Sequence, residues 1–380
     1  MASPGSESAA SEAHLPWEAA ALGGGSTRIP LAGGSDATLL SIAGSALLPL
    51  LGTATATACR LVCREFLAEI SRFPWEDRST AILGSTRRWR QCFPRARVAC
   101  CAESLNHPRR RRRPLRDEDC EALRGLLEVD ISSCRALTDA CFAHLEECVK
   151  LTMHDCAQPA IRGGAAFAPM RALRELDISA CDQLGGGALA SLGSLLRLNC
   201  SSTRLMDGAF APLRSLVALK AQWCMGITDA AFVHIRGLRE LDMSFCRQAA
   251  LTDAAFLELR GLVVLRMEFC DQRTITDAAF APLRALEDLD CSRCAQLTDS
   301  ALAHVQGCKR LVISGCTGLS SQAVPLLLHI PKLVLNQVEP ELWDAVRAVR
   351  PETPPPTPVY RPPRVPIEQQ EGYIPGIGFG

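Results

Sequence analysis

Cysteine and histidine are the residues of this chain whose chemistry could be catalytic or metal-binding. The 380 residues include 19 cysteines and 7 histidines. Cys291 and Cys294 have the Cys-x-x-Cys spacing of a zinc ligand pair, and Cys100 and Cys101 are adjacent. A structural zinc site needs four ligands, however, and no second pair in the sequence completes either set. We therefore predict no metal site and no cofactor.

Catalytic arrangements of other kinds are not indicated either. Three histidines share one offset in a repeated phrase, which duplication explains without catalysis: His144, His234 and His304. No glycine-rich phosphate loop follows a predicted strand, and local spacing implies no Ser, His and Asp set. We predict no catalytic residues and expect that the chain is not an enzyme.

Many of the cysteines belong to a phrase that recurs nine times between Leu126 and Pro331. A strand-like segment with an apolar centre is followed by Cys and then by Leu-Thr-Asp-x-Ala-Phe, as in LEDLDCSRCAQLTDSALAHV from Leu286 to Val305. The spacing of the centres runs from 21 residues (Leu198 to Leu219) to 25 (Leu151 to Leu176). A period of about 20 to 29 residues with leucine at fixed offsets is typical of leucine-rich repeats. The central residues are Val129, Leu151, Leu176, Leu198, Leu219, Leu241, Leu265, Leu289 and Leu311.

This pattern predicts an α/β leucine-rich-repeat solenoid, with parallel strands on the concave face and short helices on the convex face. Each Thr-Asp pair supplies an N-cap oxygen and a first-turn carboxylate for a short helix. A degenerate repeat precedes the array, with Val98 as its strand residue. The segment from Glu339 to Arg350, which contains Trp343, is expected to cover the last repeat. The solenoid with its caps is assigned to residues 93–350.

Eight cysteines recur five residues after the central strand residue and should form a column in the interior. The column consists of Cys134, Cys156, Cys181, Cys224, Cys246, Cys270, Cys294 and Cys316. The N-terminus has no Lys or Arg before Arg28, unlike a secretory signal. We therefore expect buried, reduced thiols in a cytoplasmic protein, with a nuclear location as the alternative. Cys246→Ser is expected to destabilise the array more than Cys246→Ala, because a buried hydroxyl needs a hydrogen bond.

The charge balance argues against nucleic acid and membrane partners. Lys plus Arg is 41 and Asp plus Glu is 41, so no global field attracts a polyanion. Ala37 to Ala58 contains no charged residue, but its Thr, Ser, Gly and Pro content makes it a poor membrane span. The run from Arg109 to Arg113 is expected in a solvated loop, with a nuclear-import signal or a contact with an acidic partner as alternatives. We predict binding to neither nucleic acid nor membrane.

Residues 37–92 are predicted to form a small helical module and linker, after a disordered N-terminus at residues 1–36. Val62-Cys63-Arg64 lies shortly before Trp75, and this segment resembles the second half of an F-box. The Leu-Pro pair that usually opens the motif is missing next to Leu39. A plain helical cap over the first repeat is the alternative. By the resemblance, the adaptor-facing or core residues of the module are Leu61, Val62, Cys63 and Trp75.

The strand residues that flank each central leucine are expected to form a partner-binding surface. Trp223, Phe245 and Phe269 each precede a column cysteine, where other repeats have Ser, Ala, Asp, Arg or Gly. They form either an aromatic stripe on the rim of the concave face or a cover folded over the core. With the charged residues around them, the candidate partner-binding set is Lys220, Trp223, Asp242, Phe245, Arg266, Glu268, Phe269 and Asp290.

The repeats resemble the cysteine-containing leucine-rich repeats of F-box proteins, through Cys-x-x-Leu-Thr-Asp-x-Ala-Phe as it stands at Cys294 to Leu302. The resemblance implies a substrate-recognition subunit of an SCF-type (cullin-RING) ubiquitin ligase. In such a subunit the N-terminal helices bind a Skp-type adaptor and the concave face binds a protein substrate. The alternative is a stand-alone interaction scaffold. Residues 351–380 should be a Pro/Gly-rich extended tail, either a linker or a ligand for a proline-reading domain or for this same protein.

Overall fold

The computed structural model describes residues 68, 70–73, 75, 79–82, 85–101, 114–156, 161 and 166–352. Within these residues, short parallel strands form a 12-stranded sheet in which the order in space follows the order in sequence. The strands are β1 (Ser79–Ala81), β2 (Val98–Cys100), β3 (Glu128–Asp130), β4 (Lys150–Thr152), β5 (Glu175–Asp177), β6 (Arg197–Asn199), β7 (Ala218–Lys220), β8 (Glu240–Asp242), β9 (Val264–Arg266), β10 (Asp288–Asp290), β11 (Arg310–Val312) and β12 (Lys332–Val334).

The register of the sheet aligns the centre of each strand with the centre of the next. Leu219 pairs with Leu241, and Leu241 pairs with Leu265. All nine predicted central residues are at most 3% exposed. Because no single repeat can enclose its own leucine, stacking supplies the burial. The predicted leucine-rich-repeat solenoid is confirmed.

The strand residue predicted for the degenerate first repeat is wrong by one position. Ala99 pairs with Val129 and is 1% exposed, whereas Val98 pairs with Glu128. A repeat without a central leucine gives no sequence signal for its inward residue. The sheet also begins before the boundary predicted at residue 93, since β1 starts at Ser79.

Short helical turns cover the opposite side of the sheet. The α-helices are α1 (Thr86–Cys92), α2 (Asp229–Phe232), α3 (Asp299–Leu302), α4 (Val324–Leu327) and α5 (Pro340–Val349). The 3₁₀ turns are Asp117–Leu123, Asp139–His144, Gly186–Leu189, Asp207–Phe210, Asp253–Phe256, Asp277–Phe280 and Ser321–Ala323. Buried phenylalanines such as Phe256 and Phe280 fill the space between these turns and the strands.

The Thr-Asp pairs cap the turns and also connect neighbouring repeats. The Thr252 hydroxyl accepts a hydrogen bond from the Ala254 amide at 3.1 Å, which confirms the predicted N-cap. Thr252 also donates its amide and hydroxyl to the two carboxylate oxygens of Asp229 in the preceding repeat, at 2.8 and 2.6 Å. This link was not predicted from the sequence. It recurs at Thr138–Asp117, Thr228–Asp207, Thr276–Asp253, Thr298–Asp277 and Ser320–Asp299.

The cysteine column lies in the interior, as predicted, and its eight members are thiols that form no disulfide and are at most 1% exposed. The Cys246 thiol donates to the Ala221 carbonyl of the preceding repeat at 3.1 Å, and this contact recurs along the column. Burial raises the pKa of Cys246 to about 12, so the thiol stays protonated. Thr203 replaces cysteine in one repeat and donates to the Cys200 carbonyl at 2.6 Å.

Two cysteines outside the column form a disulfide that the sequence did not predict. Cys120 and Cys141 join the first two 3₁₀ turns, with Cα atoms 5.5 Å apart. The bond connects the degenerate repeat to the first regular one. Disulfides are typical of oxidising compartments, so cysteine usage does not support the cytoplasmic prediction for the chain as a whole.

Helix α5 covers the C-terminal end of the stack, as predicted. Leu342 and Val346 are 0% and 1% exposed, and Trp343 packs partly buried against the same core. The Arg350 guanidinium donates to the Leu327 carbonyl at 3.3 Å, which ties the end of the helix to the last repeat.

None of the helices in the described ranges combines the length and apolar character that crossing a membrane requires. The segment from Ala37 to Ala58, which was considered as a span, lies outside the described residues. So do residues 1–36, the arginine run at 109–113 and the tail from residue 353.

Candidate partner-binding surface

One residue in each repeat adopts a left-handed backbone conformation directly before the column position. The φ angles are 60°, 65° and 58° at Trp223, Phe245 and Phe269. This conformation costs about 1–2 kcal/mol for a residue with a side chain, and aromatic residues are not among those that adopt it readily. The other residues with this geometry are Ser133, Asp155, Ala180, Ser202, Arg293, Gly315 and Gln337.

Trp223, Phe245, Phe269 and the Arg293 guanidinium form what we call the aromatic stack. The Trp223 and Phe245 ring centroids are 4.6 Å apart at an angle of 6°, and those of Phe245 and Phe269 are 5.1 Å apart at 26°. The Arg293 guanidinium lies 4.6 Å from the Phe269 centroid. Parallel strands lie about 4.8 Å apart, so the sheet itself sets the spacing of the stack.

The stack lies at the surface. Trp223 is 52% exposed, and Phe245 and Phe269 are half-buried. Of the two arrangements that the sequence allowed, the structure has the stripe along the rim. At one end of the stack, the Arg293 guanidinium covers the Phe269 ring. At the other end, Ser202 occupies the equivalent position in the preceding repeat, so one face of the Trp223 indole has no stacked neighbour among the described residues.

Charged side chains on the concave strands pair with each other across the sheet. Lys150 lies 3.7 and 3.9 Å from the carboxylates of Glu128 and Glu175. Arg197 lies 3.2 Å from Glu240, reaching over Ala218 on the strand between them. Exposed pairs of this kind stabilise by about 0–1 kcal/mol each. In these pairs, charges of opposite sign neutralise each other across neighbouring strands.

Lys220 and Arg266 remain accessible for a partner. Both side chains are exposed, and both line a groove of about 260 Å³ on the concave face. Arg266 lies 3.6 Å from Asp288, whereas the Lys220 ammonium makes no ion pair with any residue that the structure describes. Lys220 ends strand β7 and Arg266 ends strand β9, and their role in binding a partner stays a prediction.

Asp242 and Asp290 were predicted to face a partner, but their carboxylates are engaged within the repeats. Asp242 is 8% exposed; it accepts from the Ser244 hydroxyl at 2.8 Å and from Gln222 at 2.7 Å. Asp290 accepts from the amide and hydroxyl of Ser292 at 3.1 and 2.6 Å. In both cases the carboxylate turns toward the serine two residues later in the chain. These residues support the strand ends and are poor candidates for direct partner contact.

Glu268 lies between the concave strands and the aromatic stack and is half-buried. Burial raises the pKa of its carboxyl above the ordinary value, and Asp290 adds to the increase, while Arg293 opposes it. Glu268 is therefore electrostatically coupled to the end of the stack.

The structure places Trp75 in the core of the N-terminal cap, which excludes it as an adaptor contact. Trp75 is 0% exposed, its indole donates to the Ile70 carbonyl at 2.7 Å, and its ring lies edge-on to Phe93 at 5.0 Å. Leu61, Val62 and Cys63 lie outside the described residues.

Several residues of the surface were missed by sequence reasoning. Arg293 could have been found, because it has the same offset before Cys294 that Phe269 has before Cys270. Met206 and Met225, which are 67% and 56% exposed, had no such signal because they occupy different positions in their repeats. In the described part of the chain, no group of three or more His, Cys, Asp or Glu residues is arranged to hold a metal ion.

Comparison with known proteins shows the fold. No protein-family model matches the sequence, and no curated protein sequence matches it. The glycosylated Toll–Spatzle complex from Drosophila is similar over 69% of this chain at 17% identity, with a TM-score of 0.52, and this chain spans 40% of that one. The TLR13–ssRNA13 complex is similar over 71% of this chain and 36% of the other, at 17% identity and a TM-score of 0.44.

An internalin (inlF) from Listeria monocytogenes is similar over 60% of this chain and 67% of its own length, at 18% identity and a TM-score of 0.48. The chain thus spans well under half the length of the Toll and TLR13 chains. At identities this low the likeness concerns architecture only. The strand register, the convex turns and the likeness to the Toll chain together show a cysteine-rich leucine-rich-repeat solenoid.

Proposed function

We propose that this chain is a protein-interaction scaffold that binds its partner along the aromatic stack and the adjacent concave strands. The observation that carries the proposal is the exposed Trp223 at the open end of a stack that finishes in Arg293. Trp, Tyr and Arg dominate binding energy at protein interfaces. The fold does not require large rings at these positions, because other repeats have Ser or Ala there.

The shape of the surface favours a protein over a small molecule. The stack and its arginine extend over four successive repeats, and the concave groove beside them is open along the strands. Small-molecule sites are usually enclosed and largely apolar. A polar concave face with an apolar rim instead matches the mixed composition of transient protein interfaces.

Affinity capture with the full-length protein tests this proposal. The test variant carries Trp223→Ala, Phe245→Ala and Phe269→Ala. The matched control carries Val233→Ala, Leu257→Ala and Leu328→Ala, three exposed apolar residues that follow convex turns. We expect a specific partner to be retained by the wild type and the control and reduced at least about tenfold in the test variant, since one lost hot spot is worth about 2 kcal/mol. Equal retention by both variants would contradict the proposal.

We further propose that the partner is a substrate delivered to an SCF-type ubiquitin ligase, with a Skp-type adaptor bound by the N-terminal helices. The support is the resemblance of Val62-Cys63-Arg64 and of the repeats to F-box proteins with cysteine-containing repeats. A stand-alone scaffold is the second candidate, since burial of Trp75 under Phe93 is what a structural cap requires.

Binding of purified Skp adaptor to the full-length chain separates the two candidates. The informative variant is Leu61→Asp with Val62→Asp, because a deletion through residue 80 would remove Trp75 and part of β1 and would damage the cap. The ligase proposal predicts adaptor binding by the wild type and by Trp223→Ala, and its loss in the double variant. No binding by the intact protein would leave the scaffold as the function.

A further inference from the structure

A second groove opens beside the free face of Trp223. It is a depression of about 570 Å³ lined by Asp182, Ser202, Arg204, Met206, Trp223 and Met225, among others. Of the eight large apolar side chains that are exposed in the described part of the chain, three lie here: Met206, Trp223 and Met225. Single exposed apolar residues are ordinary, but a concentrated group marks a binding surface.

The groove exists because the rim residue changes between two repeats. Ser202 occupies the left-handed position next to Trp223, and its small side chain leaves empty the place where the next ring of the stack would lie. Met206 and Met225 provide flexible thioether walls, which adapt to apolar ligands and contact aromatic rings favourably. An apolar ring that enters here would continue the stack.

Three polar side chains of the groove are available to a ligand, those of Asp182, Arg204 and Trp223. Asp182 is exposed and makes no ion pair with any residue in the described ranges, so it can accept from a cation. The Trp223 indole N–H and the Arg204 guanidinium make no side-chain hydrogen bond to any of those residues and can donate to carbonyl oxygens. An aromatic groove with an N–H donor and a carboxylate is the chemistry that reads polyproline II ligands flanked by arginine.

The chain itself contains such a ligand beyond the described residues. Residues 354–366 read PPPTPVYRPPRVP, with Arg361 and Arg364 next to prolines. Proline fixes φ near −65° and favours polyproline II, whose carbonyls are not used internally. The arginines are complementary in charge to Asp182, and the proline rings are suited to the free indole face.

The length of the chain permits this contact. Arg350 is tied to the carbonyls of Leu327 and Ile330, so the tail leaves the fold at the last repeats. Trp223 follows β7, and five strand spacings separate β7 from β12, or about 24 Å. The ten residues from 353 to 362 span about 31 Å as polyproline II, so the part of the segment that contains Arg361 and Pro362 can reach the groove.

We propose that the groove around Trp223 binds the arginine-containing proline-rich segment 354–366 of the same chain. The bound segment covers the open end of the aromatic stack. If that stack binds a partner, as proposed above, the segment competes with it. The contact within the chain does not depend on that partner, so the two proposals fail separately.

Photo-crosslinking tests the contact in the full-length protein. A benzoylphenylalanine replaces Met206, an exposed residue that lines the groove without filling the place beside the indole; the matched control places it at Leu257, a comparably exposed residue that follows a convex turn. We expect crosslinks to residues 354–366 from position 206 and not from 257, with a yield that does not depend on protein concentration. Trp223→Ala should reduce the yield about tenfold, the equivalent of about 1.4 kcal/mol. No crosslink to the segment, or crosslinked dimers that increase with concentration, would overturn the proposal.

A fluorine NMR experiment provides a second readout that leaves the fold unaltered. The protein is labelled with 5-fluorotryptophan, and the Trp223 resonance is assigned with Trp223→Phe. Replacing Pro362, Pro363 and Pro366 by Ser should shift the Trp223 resonance and leave that of buried Trp75 in place. An unchanged Trp223 resonance would overturn the proposal, and a shift of Trp75 together with Trp223 would attribute the change to the fold and also count against it.

Discussion

Two stretches of the rim share one backbone geometry and carry different side chains. In the first four regular repeats the left-handed position holds Ser133, Asp155, Ala180 and Ser202, and in the next three it holds Trp223, Phe245 and Phe269. The main-chain hydrogen bonds are the same: the amide of each rim residue donates to a carbonyl of the following repeat, at 2.8 Å for Ser133 and 2.7 Å for Phe245. The repeats without rings at this position thus serve as an internal control for the repeats with rings. Small residues suffice for the fold, so the rings serve another purpose.

In the interior, by contrast, the type of side chain at each repeat position is nearly constant. At the column position a thiol, or the Thr203 hydroxyl, is buried and hydrogen-bonded in every regular repeat, and at the convex turns a buried apolar side chain recurs. Uniformity inside and variation at the rim indicate which positions hold the array together. Substitutions at matched interior and rim positions can measure this difference.

The largest effect on stability is expected in the interior at Phe256, which is 0% exposed. Phe256→Ala removes a ring from the space between the 3₁₀ turn and the strands and leaves a cavity. We expect a loss of about 3–5 kcal/mol in the free energy of unfolding, measured by urea denaturation. Trp223→Ala at the rim is the control, with an expected loss of about 1 kcal/mol from one stacked pair. Equal losses of unfolding free energy in Phe256→Ala and Trp223→Ala would contradict the distinction between interior and rim.

The cysteine column should show an intermediate effect. Cys246→Ala removes buried volume and the thiol bond to the Ala221 carbonyl, with an expected loss of about 1–2 kcal/mol. From the sequence alone, Cys246→Ser is expected to be the less stable of the two variants, because no partner for a hydroxyl is evident there. The structure supplies that partner, and Thr203 shows that a hydroxyl is accommodated in the column. We now expect Ser to lose less than Ala in chemical denaturation, and the reverse order would contradict a hydrogen-bonded column.

A smaller gain is expected when the aromatic stack is extended by one repeat. In Ser202→Trp the new ring lies beside Trp223, and stacking should stabilise the protein by about 0.5–1.5 kcal/mol. Ser133→Trp is the matched control, since its neighbour in the next repeat is Asp155 and no ring is available. Thermal or chemical denaturation distinguishes them, and a gain in both variants would show that the rim favours any large side chain.

The sequence predicted what periodicity enforces and missed what depends on neighbouring repeats. An inward leucine must recur in each repeat, so the nine strand centres were placed correctly, whereas Ala99 had no leucine to mark it. The Asp229 link to Thr252 and the inward turn of Asp242 require two side chains to be placed relative to each other, which periodicity does not specify.

The same limit applied to the candidate site. The stripe was found because three aromatic residues share one offset, but its groove was not, since Met206, Met225 and Ser202 belong to different positions of two repeats. The resemblance placed Trp75 in either the adaptor-facing or the core part of its module, and packing against Phe93 shows that it lies in the core.

The smallest expected effect is a pH-dependent change in stability at Glu268, which lies between the concave strands and the aromatic stack. Burial raises the pKa of Glu268, so the folded protein holds this proton more tightly than the unfolded chain does. The resulting stabilisation is fully present below the ordinary pKa of glutamate and is lost as the pH rises through the raised value. Glu268→Gln should therefore match the wild type in stability near pH 4 and exceed it slightly at pH 7. Equal stability of Glu268→Gln and the wild type at both pH values would contradict the effect of burial, and a loss at pH 7 would reverse the sign and show that Arg293 outweighs burial.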